Sequence, residues 1–169
     1  VIVRSIFDKT LSVLGRAVVV AIPAGFFIWV LANVSLGGAS VLSYCTIALD
    51  PLARIMGLDG TILLAFILGL PANEIVIPII LMSYMSTGML TEYENLEALK
   101  NVLVGNGWTW VTALCTMTFS LFHFPCATTL LTINRETQSV KWTIVAFLLP
   151  TVVGTACCVL INLVGNLVL

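Results

Sequence analysis

The sequence predicts an all-α polytopic membrane protein with about four to six hydrophobic segments, two of them broken, at Pro71 and Pro125. Three observations carry this. Of 169 residues, 60% are hydrophobic and only 9% are charged, against about 25% charged in an ordinary soluble domain. Charge is missing from Ala17–Leu49 and from Trp142 onward, Glu74 alone interrupts Gly60–Thr91, and Asn101–Asn134 carries only His123. Two of these stretches are interrupted by a proline motif, at Leu70-Pro71-Ala72 and Phe124-Pro125-Cys126. Seven basic against eight acidic residues, net -1, leave no basic surface for a phosphate backbone, so nucleic acid is excluded as a main partner. The whole chain, 1–169, reads as a single membrane domain. No phosphate-binding glycine loop, HExxH or Ser/His/Asp arrangement is present, so the chain is not read as an enzyme and calls for no resident cofactor.

In chain order, residues 1–16 carry Arg4, Asp8, Lys9 and Arg16 among spaced apolar residues, the pattern of an interfacial lead-in helix. The sequence opens on Val1 rather than Met and reads as a piece of a longer chain. Ala17 to about Asn33 is the first span, with Trp29 as an interfacial anchor, and Leu36-Gly37-Gly38-Ala39-Ser40 ends it. Val41–Met56 mixes apolar residues with Asp50 and Arg54 and reads as an interfacial helix bent by Pro51. Thr61–Met85 is long enough to cross but splits into two half-helices around Gly69-Leu70-Pro71, since proline removes a backbone donor and clashes with the preceding turn. Whether it crosses or returns as a hairpin stays open. Residues 91–101, with Glu92, Glu94 and Glu97, read as an acidic surface loop or a short surface helix. Trp108–Ile133 repeats the broken design around Pro125, and Thr143–Leu163 forms the last span, anchored by Lys141 and Trp142.

Paired, proline-interrupted hydrophobic segments point to a transporter site made from discontinuous helices. Glu74 is the sharpest signal within them, because an ionisable group in hydrocarbon is costly and usually faces a cavity, a partner or an ion. Its alternative is helix capping beside Asn73 in the first turn after Pro71. His123 and Cys126 flank Pro125 with His-x-x-Cys spacing, and both types bind borderline-soft divalent metals. At a half-helix start the thiolate of Cys126 is favoured. For His123 the alternative is a polar contact between helices. Thr128, Thr129 and Thr132 are expected to bond back to carbonyls of their own helix. The other cysteines, Cys45, Cys115, Cys157 and Cys158, read as small apolar filler.

Leu68-Gly69-Leu70-Pro71-Ala72-Asn73-Glu74-Ile75-Val76-Ile77-Pro78 and Phe122-His123-Phe124-Pro125-Cys126-Ala127-Thr128-Thr129-Leu130 resemble the C-terminal membrane part of the FeoB ferrous iron transporter family, at its second Gate (nucleoside-recognition) half. Gly57-Leu58-Asp59-Gly60 and Gly107-Trp108-Thr109-Trp110 are similar to the same family in the same order. The resemblance implies part of a ferrous iron permease of the bacterial inner membrane, with Fe(II) as the transported ion. It implies roles for Cys126 and Glu74 in passing Fe(II), less firmly for His123, with Asn73, Pro71 and Pro125 in support. The implied partners are the bilayer and the remainder of the permease: a GTPase domain and a first Gate half, or another protomer in a homo-oligomer. The alternative is a Gate-type membrane assembly module without iron transport of its own.

Overall fold

The computed structural model describes residues 2–86 and 95–168. Helix α1 (Ile2–Asn33) is uninterrupted, so the lead-in stretch and the first span belong to one helix, with Pro23 inside it. A short hairpin follows, β1 (Ser35–Leu36) pairing antiparallel with β2 (Ala39–Ser40). Gly37 and Gly38 turn it at φ of 63° and 96°, where a Cβ would be strained. Helix α2 (Val41–Ile55) starts where the Ser40 hydroxyl accepts the Ser43 N–H at 3.2 Å. The chain then turns through 106° into α3 (Gly60–Leu68). Two carboxylates hold that corner. Asp59 caps α3 by accepting the Ile62 N–H at 2.7 Å, and Asp50 accepts the Gly60 N–H at 3.1 Å while pairing with Arg54 at 2.6 Å. Gly60 admits no side chain, since a Cβ there would lie 2.1 Å from the Thr46 carbonyl oxygen.

Beyond α3 the helix breaks at Gly69–Ala72, makes a 3-10 turn (Asn73–Ile75) and resumes as α4 (Val76–Met85). The two arms are nine and ten residues long, roughly 15 Å each and so about half of a bilayer core. Were they collinear, Asp59 and Tyr84 would stand roughly 37 Å apart. Instead the Tyr84 hydroxyl donates to the Asp59 carboxylate, and the Trp108 indole N–H donates to the Tyr84 oxygen at 2.8 Å. Thr61–Met85 therefore folds back as a hairpin with both ends clasped together. At its tip a Cβ on Gly69 would meet Val76 at 2.6 Å, so glycine allows the arms to close. Both arms are apolar and mostly buried, from Ile62 to Phe66 and from Ile79 to Met82, as expected of an element covered on nearly every side.

Helix α5 (Leu96–Gly105) is capped by Asn95, which accepts the Glu97 N–H at 2.9 Å. Of the acidic loop or short surface helix expected over 91–101, the part from Leu96 is helical, and residues 91–94 lie outside the described residues. Next come α6 (Trp110–Phe122), a break over His123–Cys126, and α7 (Ala127–Thr137). Together they form a 28-residue run long and apolar enough to cross a membrane, as does α8 (Val140–Val168) over Val140–Leu167. Helix α8 runs antiparallel beside both halves: Gly165 meets Val111, Cys158 meets Cys115, Gly154 meets Phe122, and Phe147 stacks on Phe124. Cys115 and Cys158 are fully buried, and each thiol donates to the other's carbonyl, at 3.7 and 3.3 Å. The all-α class and both proline-centred breaks are as the sequence predicts. The two breaks differ in use: the first is the tip of a hairpin, the second an interruption within a span.

Two substitutions test this frame by chemical unfolding of the detergent-solubilised chain. Tyr84→Phe removes both clasp hydrogen bonds and is expected to cost about 1–3 kcal/mol. Gly60→Ala forces α2 and α3 apart and is expected to cost about 1–3 kcal/mol or more.

Candidate functional site

The hairpin tip meets the break in the span. The Ala127 N–H, at the first position of α7, donates to the Leu70 carbonyl at 2.8 Å. Each group is an orphan of its own helix, one at a start and one past an end, and each supplies what the other lacks. Leu70 precedes Pro71, and Ala127 follows Cys126, so the two proline motifs are joined at this bond. Beside it Phe66 of α3 packs edge-on against Phe119 at 4.9 Å between centroids and against the His123 ring at 5.1 Å.

Cys126 occupies the N-cap position of α7 with extended backbone (φ -60°, ψ 158°) and is half-buried. Its sulfur lies 3.1 Å from both the Thr128 and Thr129 hydroxyl oxygens. Of the three threonines expected to bond back along their helix, only Thr132 does so, to the Thr128 carbonyl at 2.8 Å. Thr128 and Thr129 stand in the first turn, where the residues four earlier, Phe124 and Pro125, are not helical and offer no aligned carbonyl. Their hydroxyls turn to the sulfur.

His123 closes α6 and is 8% exposed. Its Nδ1 lies 2.9 Å from the Ser120 carbonyl oxygen, which can only accept, so Nδ1 carries the proton. In the neutral ring Nε2 then holds the lone pair, and it is buried with no hydrogen-bond partner. This is the tautomer of a metal-binding histidine, whose other nitrogen donates to a carbonyl. Phe66, Phe119 and Phe124 surround the ring.

Asn73 and Glu74 lie on the 3-10 turn beyond the tip, and both are exposed. Neither caps α4 as anticipated: the cap positions fall to Ala72 and Ile75, and neither cap has a side-chain bond. The inserted 3-10 turn moves the start of α4 to Val76 and leaves both polar residues within the turn. Pro71, Ala72 and Ile75 line a mostly apolar cavity of about 670 Å³ against Gly25, Ile28 and Trp29 of α1. A second cavity, about 450 Å³, sits at the hairpin base among the hydroxyls of Ser40, Ser43, Thr46, Thr61 and Ser83, and Met82 borders both.

The structure thus brings Cys126, His123, Pro125 and Pro71 to one junction, with Asn73 and Glu74 on the outer side of the tip turn. Among the described residues no three His, Cys, Asp or Glu side chains converge as a metal cluster. Sequence reasoning missed Phe66, one apolar residue in an apolar run, and the Leu70–Ala127 bond, which is backbone only. It also missed the role of Asp59, although Asp before an apolar run is an N-cap signal. Ala127→Pro isolates the junction: proline is tolerated at the first helical position, so the variant removes little but this donor. It is expected to destabilise the chain by about 1–3 kcal/mol in chemical unfolding, the scale of leaving a backbone carbonyl without its donor.

The Gate family, described as nucleoside recognition, matches residues 14–140. The chain is 25% identical to the Fe(2+) transporter FeoB of Methanocaldococcus jannaschii, in an alignment that covers 99% of this chain and 26% of that protein. The chain therefore spans about a quarter of the length of the curated relative it matches. No solved structure gives a significant match. These matches bear out the resemblance drawn from the two proline motifs, and the chain belongs to the Gate, or nucleoside-recognition, family.

Proposed function

We propose that this chain is the Gate part of a ferrous iron permease and passes Fe(II) across the inner, or plasma, membrane at the junction of the hairpin tip with the broken span. The observation that carries the reading is the bond between Leu70 and Ala127, which joins Pro71 to Cys126 and turns two weak motifs into one locus. The donors suit the ion. A thiolate and a neutral imidazole bind borderline-soft Fe(II), and the exposed carboxylate of Glu74 attracts the hydrated cation before it reaches them. Two donors on one break bind weakly, which permeation requires, because an ion held in a closed site would not leave.

The remaining length of the related transporter leaves room for partners. A GTPase domain elsewhere in the permease biases the equilibrium between closed and open states, and a first Gate half or another protomer supplies further ligands. The family match and the FeoB relative support this reading. Its test is anaerobic Fe(II) uptake by the full-length transporter. Cys126→Ser and Glu74→Gln are each expected to lower uptake by about tenfold or more, the scale on which the loss of a ligand or its support acts. Unchanged uptake in both variants would favour a membrane assembly module that moves no iron.

A further inference from the structure

The three rings around His123 are not equivalent. Phe119 lies on α6, one turn before the histidine, and Phe124 follows it directly, fixed from behind by stacking on Phe147 of α8 at 5.0 Å and 19°. Both belong to the broken span and its α8 backing. Phe66 comes from the hairpin, is 1% exposed, and packs on the imidazole next to Phe119, which it meets edge-on. The hairpin is clasped at its base through Asp59, Tyr84 and Trp108, whereas at the tip the described backbone bond to the span is the one between Leu70 and Ala127. Phe66 stands near that lightly held end, three residues before Gly69.

We propose that Phe66 is a removable wall over His123, so that withdrawal of the hairpin tip opens Nε2 to a divalent cation and its return closes the site. The inference rests on the reading of the junction as an Fe(II) path, and it makes the hairpin the moving part. A cation with even part of its hydration shell cannot share the space now filled by three phenyl rings, so the observed state is closed and dry. The unpartnered Nε2 lone pair is what such a state leaves behind: an acceptor already oriented by the bond from Nδ1 to Ser120 and lacking only its ligand.

His123 is the sole histidine of the sequence, so diethylpyrocarbonate, read by the absorbance of the carbethoxylated imidazole, reports on it alone in a chain purified without a polyhistidine tag. The native chain is expected to react slowly. Phe66→Ala should react about tenfold faster or more, because an open state populated at roughly 0.1–10% becomes permanently accessible. Anaerobic Fe(II) should slow the variant again by occupying Nε2. Phe119→Ala deletes a comparable ring from the span itself and controls for general loosening, so it should accelerate the reaction much less. Equal acceleration by both variants, or none by Phe66→Ala, would overturn the wall. Fast modification of Phe66→Ala that Fe(II) fails to slow would overturn Nε2 as the cation site behind the wall. In either case, uptake that still falls in Cys126→Ser would leave the iron path itself standing.

Discussion

A helix interrupted inside hydrocarbon exposes backbone groups that lipid cannot satisfy, and the bond between Leu70 and Ala127 is where this protein meets that constraint. The rest of the fold brings those two groups together. Asp59, Tyr84 and Trp108 tie the base of the hairpin to the start of α6, so that arms of nine and ten residues bring the tip level with a break that follows the 13 residues of α6. Helix α8 stays continuous beside the interruption. Its glycines let Val111 and Phe122 approach closely, since a Cβ would lie 2.6 Å from Val111 on Gly165 and 3.0 Å from Phe122 on Gly154, giving the two halves of the span a common splint. The break is held open by its neighbours.

The chemistry at the junction follows from the same arrangement. A proline-centred break frees the first N–H groups of α7 and leaves Cys126 at the cap, where Thr128 and Thr129 lack helical acceptors and turn to its sulfur. His123 ends α6, and its ring satisfies one terminal carbonyl through Nδ1, which leaves Nε2 as the reactive atom. Both potential donors therefore arise from the repair of broken helix ends. Around them lie phenyl rings and apolar arms, an environment of low dielectric in which polar interactions are strengthened and unpaired groups are costly. Glu74 stands apart on the exposed turn, in water's reach.

Much of this was legible in the residues. The breaks fall where Pro71 and Pro125 demand them, because proline acts locally, and α1 ends just before Leu36-Gly37-Gly38-Ala39-Ser40, whose effect is also local. The direction of the chain after Pro71 was not legible. A hairpin and a kinked span share one composition, and they differ only through the pairing of Asp59 with Tyr84, residues far apart in sequence and individually unremarked. Asn73 illustrates a finer failure: reading it as a cap assumed that α4 resumes at once after Pro71, whereas a 3-10 turn intervenes. Phe66 carried no signal at all, since its significance lies in facing a histidine on another helix.

The reciprocal completion of the two breaks bears on the order in which the protein is assembled. The hairpin arms are made before α6, α7 and α8 exist, yet the carbonyl at the tip is satisfied by a donor at the start of α7. Inserted early, the tip would present an unpaired backbone group to lipid, at a cost of several kcal/mol for each such group. The early chain is thus favoured to hold this segment at the membrane surface while α6, α7 and α8 are laid down. Entering last, the hairpin would act as a plug driven into a socket made after it.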